Sequence, residues 1–104
     1  MRGESLRALP DNLELRTLAR RVVWFKSPSD ALSMPAHFMA HVLTYGTHED
    51  VSVLRRFVSD DELRDALAGA PPGVFDDRSW AYWHLKLGRY PPPPLPTRVL
   101  GLGD

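Results

Sequence analysis

The sequence contains no cysteine, which excludes a disulfide framework and any thiolate zinc site of the usual spacing, and makes a reducing cytoplasm the expected location. It also lacks a long hydrophobic run. The longest stretch free of Asp, Glu, Lys and Arg, Ala31 to His48, is broken by Pro35, three histidines, Ser33 and two threonines, so no membrane span is expected. Met1-Arg2-Gly3-Glu4 leads into no hydrophobic signal core. No glycine-rich loop cradles a phosphate, and no serine sits in a glycine-flanked elbow. Runs of four to eight residues alternating β-branched with polar side chains are missing too, and with them the usual strand signal.

What is present is one domain's worth of chain, 104 residues with 13 Lys plus Arg against 13 Asp plus Glu. A chain of this length buries roughly two-thirds of its unfolded surface, so one compact core is expected and an internal active-site cavity is not. The zero net charge is unevenly spread. Residues 1–26 carry +3, residues 47–77 carry −5 and residues 78–104 return +3. Eleven arginines against two lysines point to a GC-rich genome.

Oxygen-bearing residues stand where helix starts need acceptors for unpaired N–H groups. Asp11 with Glu14, Ser27 with Asp30, Thr47 with Asp50 and Ser59 with Glu62 have capping-box spacing, and Asp76 precedes Ser79. The expected fold is therefore all-α, a small compact domain of about five short helices over residues 11–90, between an N-terminal arm (1–10) and an extended proline-rich tail (91–104).

The first helix, about residues 12–25, places Leu15, Leu18, Ala19, Val22 and Phe25 inward. Ser27-Pro28 stops it, and a short turn over 28–33 follows. The helix from Pro35 to Tyr45 has the widest apolar arc, Phe38, Met39, Val42, Leu43 and Tyr45, which makes it central. Its polar side is His37, His41 and Thr44, and Gly46 is expected to end it in a left-handed cap. Two short helices, 48–58 and 60–68, meet at Ser59. A last helix, 77–87, leads through Gly88 into Tyr90-Pro91-Pro92-Pro93-Pro94-Leu95-Pro96, which prolines hold extended as polyproline II. The predicted core is Leu18, Val22, Phe38, Val42, Leu54, Phe57, Leu63, Leu67, Trp80 and Trp83.

His37 and His41 have the four-residue spacing of paired zinc ligands, but Phe38 stands where a zinc protease needs glutamate. The expectation is a polar helix edge with no metal, no cofactor and no enzymatic activity. The helix pair 48–58 and 60–68 also has the look of a helix-turn-helix, with Arg55 and Arg56 as phosphate contacts. Against this, the helix that must enter the groove begins with Asp60, Asp61, Glu62 and Asp65, which repel a duplex. The sharpest anomaly is Ser79-Trp80-Ala81-Tyr82-Trp83-His84-Leu85. Trp80, Trp83 and Leu87 share one side of a wheel while Tyr82 and Leu85 lie on another, so this helix is either enclosed or binds something.

The stretch His41-Val42-Leu43-Thr44-Tyr45-Gly46-Thr47-His48-Glu49-Asp50, with Leu54-Arg55-Arg56 and Asp61-Glu62-Leu63-Arg64, resembles a family of small uncharacterised bacterial proteins. Members are often encoded beside nucleotidyltransferase toxins of the abortive-infection class and are taken to act as their antitoxins. The similarity spans about residues 22–87 and implies no catalytic residues. It implies a non-catalytic protein-interaction module that neutralises such a toxin. The expected contacts are Tyr82, Leu85 and Tyr90, with Asp60, Asp61 and Asp65 facing a basic groove and a second copy of the chain as another partner. The alternative is a small helix-turn-helix DNA-binding regulator using Arg55 and Arg56.

Overall fold

Helix starts follow the side-chain oxygens. In a computed structural model that describes residues 9–96, the side chain of Asn12 accepts from Leu15 N at 2.8 Å and opens α1, Leu13–Val22. Asn12 takes the role expected of Asp11, whose carboxylate instead pairs with Arg16 at 2.9 Å. Ser27 caps α2, Pro28–Leu32. Thr47 with Asp50 and Ser59 with Glu62 form reciprocal capping boxes that open α4, His48–Leu54, and α5, Asp60–Ala68. Asp76 accepts from Ser79 N at 2.7 Å and opens α6, Asp77–Lys86. Only α3, Pro35–Tyr45, starts without a side-chain cap, behind Met34.

The chain is thus all-α among the described residues, with six helices and no strand. The sixth is α2, where a turn was expected. Ser27 and Pro28 preset the first helical turn, and burial of Ala31 and Leu32 completes it. None of these helices is long and apolar enough to cross a membrane.

Two expected helices end early. Val23 leaves the helical region at φ −126° and ψ 56°, so α1 stops before Trp24 and Phe25 and both rings emerge to solvent. Phe25 is therefore not an inward residue. Likewise α4 stops at Leu54, and Phe57 falls in the following turn, half-buried on the core's rim with the Arg56 guanidinium 5.6 Å from its ring centre.

As expected, α3 is central. It packs on α1, α2, α4, α5 and α6, and Phe38, Met39, Ala40, Val42 and Leu43 are all buried. Its rotation differs from the predicted arc, since His41 is buried and Tyr45 exposed. Around it lie Leu15, Leu18, Val22, Leu54, Leu63, Leu67, Trp80, Trp83 and Leu87. Leu9, at the edge of the 1–10 arm, is also in this core. Residues 91–96 carry no helix; the Pro93 carbonyl accepts from Trp80 Nε1 at 2.8 Å, and that of Pro96 from Gly73 N at 3.3 Å. The remainder of the proline tail, 97–104, and most of the N-terminal arm, 1–8, lie outside the described residues.

The glycines at helix ends act for different reasons. Gly88, at φ +79°, completes a Schellman motif after α6, in which Arg89 N reaches the His84 carbonyl and Gly88 N that of Leu85. Gly46 is not left-handed but extended, at φ −73° and ψ 156°. Its constraint is space, because a Cβ there would come within 2.7 Å of the Val42 carbonyl oxygen and 3.0 Å of Asp50 Cβ.

Phe38→Ala is expected to lower stability by about 3–5 kcal/mol, read as a lower urea midpoint; an unmoved midpoint would place the centre of the core elsewhere. Gly46→Ala should cost about 1–3 kcal/mol through overpacking. Gly69→Ala, whose nearest contact would be an ordinary 3.6 Å, should cost much less in the same titration. Equal costs would remove the crowding explanation.

Candidate functional site

Helix α6 separates its aromatic cluster into two sets. Trp80, Trp83 and Leu87 are buried, and both indoles are hydrogen-bonded: Trp83 Nε1 donates to the Leu43 carbonyl at 2.9 Å and Trp80 Nε1 to Pro93. His84 is buried between turns, its Nδ1–H donating to the Trp80 carbonyl at 2.8 Å. Tyr82 and Leu85 point the other way, 51% and 63% exposed, and Tyr90 beyond the helix end is exposed too. The helix is thus enclosed along one side and exposed along the other.

The acidic residues are less available than their charge suggests. Asp60 pairs with Arg55 at 2.6 Å and Asp61 with Arg64 at 2.8 Å, while Asp65 is half-buried and also has a partner. Arg56 pairs with Glu14 at 2.7 Å. Exposed pairs of this kind contribute roughly 0–1 kcal/mol each, so they hold little stability, but they cancel field. Asp60, Asp61 and both arginines are thus each paired with an opposite charge, and this weighs against phosphate binding by Arg55 and Arg56.

His37 and His41 do come together, with ring centres 4.3 Å apart. His41 Nδ1 is occupied as a donor to the His37 carbonyl at 3.0 Å, whereas buried His37 Nδ1 has no hydrogen-bond partner. Among the described residues no group of three His, Cys, Asp or Glu side chains is placed to hold a metal. What surrounds the pair is aromatic. Phe25 lies 5.5 Å from His41 and 5.5 Å from Trp24, and Tyr45 lies 5.7 Å from His41, all between ring centres. Trp24 is 77% exposed and Tyr45 62%. Sequence reasoning passed over Trp24. The signal was the run Val22-Val23-Trp24-Phe25, four apolar residues that no single helix face can bury together.

A cleft of about 390 Å³ lies between α4 and α6. Arg78, Tyr82 and Lys86, four residues apart on α6, form one wall. His48, Ser52 and Arg55 form the other, over a floor that includes Leu43, Val51 and Trp83. No carboxylate of the described residues lines it. Sequence reasoning placed Tyr82 at a site but had no means of seeing that His48 and Arg55 face it across a gap.

No protein-family model matches the chain, and neither the curated proteins nor the solved structures give a match.

Burial first, then His41 and then Lys26, holds the His37 imidazole below its ordinary 6.5. The folded state therefore resists a proton that the unfolded chain accepts, and stability falls as pH drops below that value until the lowered folded value is reached. His37→Gln should flatten this slope between about pH 7.5 and about pH 5.5, seen in urea midpoints at the two pH values. A slope as steep as the wild type's would assign the effect to another group.

Proposed function

We propose that the chain is a non-catalytic protein-interaction module that engages its partner through the outer face of α6, with Tyr82 and Leu85 as anchors and Tyr90 adding contact area. One observation carries this reading: α6 keeps Trp80, Trp83 and Leu87 in the core while holding a tyrosine and a leucine out in water. Tyrosine is among the residue types most enriched at binding hot spots, and a helix that is apolar on both sides has one side left over once its core face is filled. On the resemblance of residues 22–87 we take the partner to be a nucleotidyltransferase toxin of the abortive-infection class. Asp60, Asp61 and Asp65 take the lesser part, because partners within the chain already claim them. Residues 91–96 lie beside the same helix, with the Pro93 carbonyl on Trp80, and lose little entropy on docking because prolines preset their backbone.

Co-purification with the product of the adjacent gene tests the partner, and sedimentation of the isolated chain tests self-association. Tyr82→Ala combined with Leu85→Ser should weaken that association more than tenfold, at least about 1.4 kcal/mol, while the urea midpoint moves little because both side chains are exposed. Unchanged association in the double variant, or no complex and no dimer in the wild type, would refute the reading.

A further inference from the structure

We propose that the cleft between α4 and α6 receives a short acidic segment of a protein partner, one or two carboxylates accompanied by an apolar side chain. This rests on the protein-interaction reading and gives the partner's contacting segment a chemistry, opposite in charge to the one the −5 segment suggested.

The argument begins with which cations are free. Of those lining the cleft, Arg55 is shared with Asp60, whereas Lys86 and Arg78 form no salt bridge or side-chain hydrogen bond among the described residues, Arg78 acting on the nearby Asp76 carboxylate through its charge alone. They stand on α6 one turn to either side of Tyr82, about 12 Å apart along the helix axis at 1.5 Å per residue. His48 and the hydroxyls of Ser52 and Ser79 add further donors, and no side-chain carboxylate or carboxamide lines the walls. A donor-rich, acceptor-poor cleft selects an anion. Its floor of Leu43, Val51 and Trp83 is apolar, so the anion must come attached to something that can leave water.

The surroundings decide between a polyanion and a local charge. Asp76 and Asp77 are exposed at the start of α6 beside Arg78, Glu49 is exposed next to His48, and Asp60 sits on Arg55. A nucleic-acid strand running through the cleft would carry phosphates past these carboxylates, whereas single-strand binding grooves keep a cationic track along the backbone. A peptide places charge only where it is wanted. The volume accommodates a few side chains, in the range typical of small binding pockets.

The test uses the full chain. Peptides are selected against it from a random dodecapeptide library on phage, and the enriched sequences, fluorescein-labelled, are titrated by polarisation beside a labelled oligothymidylate. The expected result is enrichment of Asp or Glu next to Leu, Ile or an aromatic residue. Affinity should fall as salt rises, and fall at least tenfold in Arg78→Gln with Lys86→Gln, which removes both charges from exposed positions. The charge-reversed Arg78→Glu variant should lose more, with circular dichroism confirming the helices. Neutral, basic or absent enrichment, or wild-type affinity in the glutamine variant, overturns the proposal. So does oligothymidylate binding that the glutamine variant loses while acidic peptides fail to bind. Leu85→Ser, outside the cleft, tests the broader reading separately: if it loses the partner while the glutamine variant keeps it, the module stands and the acidic segment does not.

Discussion

The hydrogen bond from Trp83 Nε1 to the Leu43 carbonyl, 2.9 Å long and buried, fixes the relation between the central helix and α6. The last carbonyls of any α-helix lack an intrahelical partner. At the end of α3 the Val42 carbonyl is met by Gly46 N, but Thr47 N, the next donor in line, is committed to the Asp50 carboxylate at 3.0 Å. The Leu43 carbonyl would be left unpaired in the interior, and the indole N–H supplies the missing donor. Three consequences follow from that one requirement. Trp83 must point inward, α6 must cross near the α3 terminus, and its rotation about its own axis is set, with Tyr82 on the exposed side. Gly46 belongs to the same junction, since a Cβ there would press on the Val42 carbonyl and on the Asp50 side chain that caps α4.

Electrostatics in this small domain is decided by pairs rather than by segments. Adding charge along the chain makes the middle acidic, yet Asp60 and Asp61 are answered within 3 Å by Arg55 and Arg64. Asp50, buried at the foot of α4, accepts from Thr47 N and faces Arg21 of α1 at 3.3 Å, so it serves as cap and cross-link together. Arg64 also reaches across to donate to the Leu87 carbonyl at 2.8 Å, tying α5 to the end of α6. After these pairings the cations on α6 stand out more than the acids of α5, which the charge summed along the chain does not show.

Much of the fold was legible because it is written in local chemistry. Thr47, Ser59 and Asp76 each cap the helix expected of them, Ser27 caps a short helix where a turn was expected, and the apolar stripe through Phe38 and Val42 is the centre of the core. Where the reading slipped, a tertiary fact overrode a local one. The exception is local: Asn12, one residue on, takes the cap, and Asp11 pairs with Arg16. Periodicity carried α1 on to Phe25, but the chain turns at Val23, and Trp24 and Phe25 followed it outward. His41 looked like a polar edge and is buried, because the Phe25 ring and Tyr45 close over it. The candidate surface was half legible: the division of Tyr82 and Leu85 from the two tryptophans follows from a helical wheel, while the cleft opposite Tyr82 depends on how α4 and α6 are placed in space.

Two aromatic surfaces remain exposed, and their mechanical settings differ. Trp24 and Phe25 sit in an irregular turn, contiguous through ring contacts with His41 and Tyr45 but held by no side-chain hydrogen bond of their own among the described residues. Helix α6 is fastened along its length: the Asp76 cap at its start, Pro93 on Trp80, Leu43 on Trp83, and the Gly88 turn with Arg64 on Leu87 at its end. Association costs conformational entropy for every group it must immobilise, so a side chain on a fixed helix loses less than the same side chain on a turn. Tyr82 also lies edge-on to Trp83, with ring centres 5.0 Å apart, which orients it before any partner arrives. Of the two surfaces, the one on α6 is therefore the better prepared to bind, and it owes that to the same buried indole that completes the central helix.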